Sequence, residues 1–169
     1  MGNDNKKATD NLIPAYQKMM TRVEETQKHS TTKTLQQHIE AAIDRAVELD
    51  ELSREEAERI GDYLRRDLHD AADFIVKTEQ ALADWIRFDL ELIEERLLEM
   101  FSLMVDQTQQ ELENIAECAR QATEWHSGEM TVLGTLFCEN CDHVVHFHKP
   151  DYIPVCPNCG ATRFKRAIN

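Results

Sequence analysis

The placement of proline and glycine constrains this chain more than any other feature. Between Ala15 and Lys149 there is no proline, and between Asn3 and Ser127 the only glycine is Gly61. These two residues are the strongest breakers of helix, so everything from Ile13 to Trp125 is free to be helical. Gly128, Gly134, Pro150, Pro154, Pro157 and Gly160 then arrive within 33 residues, as the composition turns to Val, Thr, Phe and Tyr. The chain divides on this reading into an acidic α-helical domain, residues 1–127, and a small C-terminal β domain, residues 128–169.

Within the helical part, apolar spacing and capping signals locate three starts. A first helix is expected near Pro14, which suits a first turn, burying Ile13, Tyr16, Met20 and Val23. The polar run Lys28-His29-Ser30-Thr31-Thr32 ends it. Thr34 and Gln37 have capping-box spacing and open a second helix carrying Leu35, Ile39, Ile43, Ala46 and Leu49. Ser53-Arg54-Glu55-Glu56 is a stronger box and opens a third.

From Ile60 an apolar seam steps through Leu64, Leu68, Ala71, Ile75, Leu82, Ile86, Leu90, Ile93, Leu97, Phe101, Met104, Leu112, Ile115, Ala119 and Ala122, interrupted only by Glu79 and Thr108. Leu82, Ile93, Met104 and Ile115 mark an eleven-residue period, which suits nearly straight or slightly right-handed coiled-coil packing. An ordinary amphipathic helix drifts through the same steps and is the simpler reading. One unbroken helix over 53–124 would extend on the order of 100 Å, too long for a chain this small to cover. It is expected to fold back as a hairpin, bending near Lys77–Glu79 or Asp106–Gln109, or to pair with a second copy. A monomer with the hairpin is preferred, with a homodimer through the long helices left open.

Charge narrows the function classes. The chain carries 32 acidic and 19 basic residues, a formal net of −13, which repels phosphate backbones and anionic lipid headgroups. The imbalance sits before residue 131; residues 131–169 carry Glu139, Asp142 and Asp151 against Lys149, Arg163, Lys165 and Arg166. The N-terminus lacks the apolar core of a secretory signal and no apolar run is long enough to span a membrane, so a cytoplasmic protein without membrane partners is expected. The acidic run Glu91, Glu94, Glu95 and Glu99 reads first as solvated surface and second as a docking face for a basic partner.

The chemistry concentrates in CENC and CPNC, residues 138–141 and 156–159, fourteen residues apart. A two-residue gap lets both thiolates of a pair reach one ion from a single turn, and Gly160 supplies the unhindered backbone such a turn needs. The spacing is that of a zinc ribbon, and it lacks the strand–helix setting of a redox dithiol. Cys138, Cys141, Cys156 and Cys159 fill all four corners of a tetrahedron, whereas catalytic zinc keeps one corner open. One structural Zn²⁺ per chain is therefore expected, with no catalytic residues and no other cofactor. Four thiolates make the centre −2, which Lys149, Arg163, Lys165 and Arg166 are expected to offset. His146 and His148 share one face of a predicted strand and, with His143, raise a second metal site, though exposed strand positions are the simpler reading. Phe137, Phe147, Tyr152 and Phe164 read as a minimal core before base-stacking groups. Cys118 reads as a small buried hydrophobe, and no Ser-His-Asp set, phosphate-cradling loop or convergent carboxylate pair stands out.

Three stretches, LSREEAERIGDYLRRDL (52–68), WHSGEMTVLGTLFCENC (125–141) and VCPNCGATRFKR (155–166), resemble the YbeL-like bacterial zinc-ribbon-containing proteins, a family classed as a domain of unknown function. The HSGE tetrad, 126–129, is its most distinctive element; its ordinary role would be a helix stop, with Gly128 as a left-handed cap and His126 and Ser127 satisfying the last backbone groups. The resemblance implies a helical N-terminal region, a C-terminal ribbon ligated by the same four cysteines, and no known reaction.

The fold class expected is thus mainly α: an N-terminal helical hairpin or coiled-coil-like bundle followed by a small C-terminal β zinc ribbon. The function expected is a non-enzymatic zinc-binding adaptor or regulator with a protein partner. The alternative is a nucleic-acid-associated regulator of transcription or translation that contacts its target through the ribbon.

Overall fold

The computed structural model describes residues 12–30, 32–112 and 124–166. Ile115, Cys118, Ala119 and Ala122 lie outside these residues. The chain divides into two compact units, residues 1–62 and 63–169.

The first unit holds α1 (Leu12–His29), α2 (Leu35–Glu48) and the opening of α3 (Arg54–Thr78). Helix α1 buries Tyr16, Met19, Met20 and Val23, whose three- and four-residue spacing makes one face, and α2 buries Leu35, Ile39, Ala42, Ile43 and Ala46. Both expected capping boxes form. Thr34 Oγ1 accepts from Gln37 N at 3.2 Å while Gln37 Oε1 accepts from Thr34 N at 3.0 Å, and Ser53 and Glu56 repeat the exchange at 3.2 and 2.9 Å. Leu49, expected on the buried face, is 44% exposed because α2 ends one residue before it. Glu51 then turns back to take both Nη atoms of Arg22, at 2.7 and 2.8 Å. Gly61 has a packing reason: a Cβ there would lie 2.6 Å from Ile43 Cδ1.

The second unit starts within α3, whose Leu64, Leu68, Ala71 and Ala72 are buried. The long seam breaks where the first of the two expected bends was placed. Glu79 adopts φ 57° and its N–H still reaches Ile75 O at 2.9 Å, so α3 stops at Thr78. The alternative bend position is not used, since α5 (Glu95–Leu112) runs through 106–109. Between them lie only the short α4 (Leu82–Ile86) and a 3₁₀ turn, Leu90–Leu92. The eleven-residue period therefore does not describe a single helix: Leu82 and Ile93 flank a broken segment, and Leu92 is 64% exposed. Tertiary packing of Trp85, a residue off the seam, favours the break. Its ring stacks on Phe101 at 5.7 Å and its Nε1 donates to Asp70 Oδ2 at 2.7 Å.

The C-terminal strands are β1 (Trp125–His126), β2 (Met130–Thr131), β3 (Gly134–Cys138), β4 (Val144–Phe147), β5 (Asp151–Tyr152) and β6 (Arg163–Lys165). They form a four-stranded antiparallel sheet in the order β1-β6-β3-β4 and a separate β2-β5 pair. The mainly helical chain with a small C-terminal β region is the fold class the sequence predicts. Among the described residues, no helix is long and apolar enough to cross a membrane.

Candidate metal centre

Cys138 ends β3 and pairs in register with Phe164 of β6, so the sheet places the first of the four clustered cysteines. The two CxxC turns have the same backbone pattern. In the first, Cys138 N donates to His143 O and Asp142 N to Cys138 O, each at 2.9 Å; in the second, Cys156 N donates to Ala161 O and Gly160 N to Cys156 O, each at 2.9 Å. The residue after the second cysteine is left-handed in both, Gly160 at φ 75° and Asp142 at φ 55°. The role assigned to Gly160 is thus filled in the other turn by Asp142, one of the few side chains that tolerate this conformation.

The four sulfurs lie within 4.8 Å of one another. Cys138 and Cys159 are 3.5 Å apart, Cys141 and Cys156 3.7 Å. A Zn–S bond of about 2.3 Å in a tetrahedron requires sulfur–sulfur edges of about 3.8 Å, so this set fits the ion, and all four cysteines are free thiols. Burial pushes the Cys138 thiol up to about 11. Cys159 is drawn down to about 6, first by the Asn140 side chain and then by the Ala161 N–H. At Cys156 burial raises the value, but the N–H groups of Cys159 and Asn158 prevail and the net shift is downward. The pocket is thus partly prepared for thiolate, which is the ligand form.

Around the sulfurs, Trp125, Leu136, Phe147, Ile153 and Phe164 pack with Cys138 and Cys156 into one apolar cluster. Phe147 and Phe164 are therefore core, as is Phe137 at 6% exposure, while Tyr152 is half-buried. The histidines do not assemble a second site: among the described residues, the four cysteines are the only such metal-ligating cluster. His146 is occupied otherwise. Thr135 Oγ1 donates to Ile86 O at 2.6 Å, so the 2.9 Å contact with His146 Nδ1 requires the imidazole to donate there. Its ring rests against Phe88.

Three of the four ribbon cations are paired with specific carboxylates. Arg163 pairs with Glu139 at 3.3 Å and Lys165 with Asp142 at 3.0 Å. Arg166, expected to offset the metal site, is instead 8% exposed and lies between the rings of Trp85 and Trp125, 4.4 and 5.0 Å from their centroids. It donates to Asp67 Oδ1 at 3.2 Å, Thr131 Oγ1 at 2.8 Å and Leu133 O at 3.2 Å. Asp67, on α3, is fully buried and also accepts from Trp125 Nε1 at 3.0 Å, Thr131 Oγ1 at 3.0 Å and Val132 N at 2.9 Å. Burial would raise its pKa, but Arg66, Arg166 and these donors hold it below the usual carboxylate range. Arg66 adds bonds to Glu129 and to Met130 O.

Of this cluster the sequence singles out only Arg166, and in another role. Its one signal was that Arg66, Asp67, Trp125, Thr131 and Arg166 all fall inside the three motif stretches. The HSGE tetrad also does other than expected. It is no helix stop: His126 is in β1, and the tetrad turns the chain from β1 into β2. Ser127 N donates to Thr162 O, Gly128 N to Ile153 O and Ser127 Oγ to Pro154 O, so it ties the ribbon's segments together. Gly128 is left-handed, at φ 90°, but in a strand-to-strand turn.

A helical protein ending in strands that bring two cysteine turns together is a zinc-ribbon protein in class. A family model described as a zinc-ribbon containing domain matches residues 21–168, and the chain belongs to that family. The uncharacterised protein YbeL of Escherichia coli K12 is 32% identical over 133 residues, covering 76% of this chain and 79% of the relative. The proteins of that name from E. coli O6:H1 and O157:H7 match to the same extent. No solved structure matches the chain.

Proposed function

We propose that this protein is a non-enzymatic adaptor whose zinc is structural and which offers macromolecular partners two surfaces, an acidic helical one and the ribbon. The observation that carries this reading is the closure of the metal centre by sulfur. Cys138, Cys141, Cys156 and Cys159 would hold the ion, and among the described residues no imidazole or carboxylate joins them. When bound, the ion contributes folding free energy, on the order of 10 kcal/mol for structural zinc in small units; with four thiolates and no open corner it has little capacity to activate water.

The ion pairs of Arg163, Lys165 and Arg166 favour a protein partner over nucleic acid, because each pair lowers the positive potential a phosphate backbone would meet. The test has two arms. Partners recovered from cells with the intact protein are compared with those recovered with Cys156→Ser; a defined partner lost with the ribbon supports the adaptor, and a partner set unchanged by the substitution removes the ribbon's part in it. RNA and DNA are titrated in parallel. Tight binding that falls steeply with salt would replace the adaptor by the nucleic-acid-associated regulator, and dithiol turnover by the purified protein would replace both.

A further inference from the structure

We propose that zinc occupancy is coupled to a polar clasp centred on Asp67, so that loss of the metal undocks the ribbon from α3. The proposal rests on the zinc reading of the four cysteines and goes beyond it, because it makes the metal govern a contact formed by residues that do not ligate it.

Two connections join sulfur to clasp. The first is Trp125, whose ring belongs to the apolar cluster containing Cys138 and Cys156 while its Nε1 donates to Asp67 at 3.0 Å. The second is β6. The Cys156–Cys159 turn leads directly into it, Phe164 sits in the same cluster opposite both Trp125 and Cys138 in register, and Arg166 follows two residues later and enters the clasp. Strand β6 is only three residues long and pairs with two residues of β1 and two of β3. So short a strand depends on the knuckles being held at the sulfur end, and the metal-free ribbon is too small to hold them by its own core.

The clasp itself favours an all-or-none response. Asp67 accepts from Trp125, Thr131, Val132 and Arg166, all of them in the C-terminal strand region. Withdrawal of Arg166 leaves a fully buried carboxylate with Arg66, 3.3 Å away on the same helix, as its remaining guanidinium and with one charge-assisted hydrogen bond unmade, a state that costs more than the complete clasp. Gly134 reinforces this, since a Cβ there would lie 2.7 Å from Arg166 Nη1 and 3.1 Å from Trp85 Cζ3; the guanidinium fits one place. Docked and undocked are therefore the two stable arrangements. Because coupling between two sites is reciprocal, weakening the clasp must also weaken retention of zinc, although Asp67 takes none of these hydrogen bonds from a cysteine.

The experiment uses the full, zinc-loaded chain. Zinc release to a chromophoric chelator is followed for wild type, Asp67→Asn and, as control, Asp44→Asn, which removes an exposed carboxylate paired with Arg54. Release about tenfold faster or more from Asp67→Asn, with the control unchanged, is expected; equal rates overturn the coupling. Should Asp67→Asn fail to fold, hydrogen exchange on the wild-type chain decides. On chelation, protection over residues 63–72 is expected to fall together with that over 125–166. Retained protection at 63–72 while 138–160 opens overturns the proposal. Reduced wild-type protein that carries no zinc overturns the metal reading itself, a result distinct from zinc that is present but uncoupled.

Discussion

At the scale of single residues, Asp67 and Asp70 show how burial and partner decide what a carboxylate does. They lie one turn apart on α3. Asp67 faces two arginines and three neutral donors, and its pKa is depressed despite complete burial. Asp70 is raised, first by burial, because Trp85 Nε1 and an Arg166 Nε 3.9 Å away do not compensate. The linkage signs are opposite. A depressed carboxylate contributes stability that is present above its unfolded value and lost only as pH falls through the folded one. A raised one costs stability above its folded value, and the cost fades as pH falls. Asp67→Asn puts an amide N–H among donors and should destabilise by about 3 kcal/mol or more, with a deficit that does not change between pH 7.5 and 5.5. Asp70→Asn keeps an acceptor for Trp85 and should be neutral or stabilising at pH 7.5, its advantage shrinking as pH falls through the raised folded value. Urea denaturation across that range, above the acidity that strips thiolates of metal, checks both. A larger deficit for Asp70→Asn than for Asp67→Asn would reverse the assignment.

At the scale of elements, the helices with explicit chemical starts are the ones legible in the sequence. Thr34 and Ser53 begin helices because their side chains satisfy backbone donors that nothing else would. The stop at Thr78 was legible as a position but not as a mechanism, since Glu79 reaches φ 57° without the glycine that usually marks such an end. Glu79→Gly should stabilise the chain by up to about 1 kcal/mol, read as a higher melting temperature at unchanged zinc content. Gly134→Ala should do the reverse, because φ 110° and the contact with Arg166 both exclude a Cβ; its thermal unfolding should fall by several degrees. Periodicity carries the seam through the broken stretch from 79 to 94 because it counts apolar residues and is blind to which surface will cover them. Trp85 chose Phe101 and Arg166 as its neighbours, and the helix yielded.

At the scale of the whole molecule, the four-cysteine cluster is legible in the sequence and its surroundings hardly at all. One zinc per chain is expected in reduced protein by elemental analysis, and Cys138→Ser should abolish it; a zinc-free chain with intact β structure would remove the ribbon reading. The sequence by itself determined the helical character of the described residues up to Leu112, the capping boxes, the acidic balance and the four clustered cysteines, because each is written in local spacing or in composition. Only the tertiary structure decided that the strands fold in one compact unit with residues from Tyr63 onward, that Arg166 serves Asp67 and not the sulfurs, and that HSGE is a turn between strands. The second of these depends on a carboxylate meeting a guanidinium 99 residues away, whose attraction and hydrogen bonds must offset the cost of burying both charges, and no local pattern encodes such a meeting.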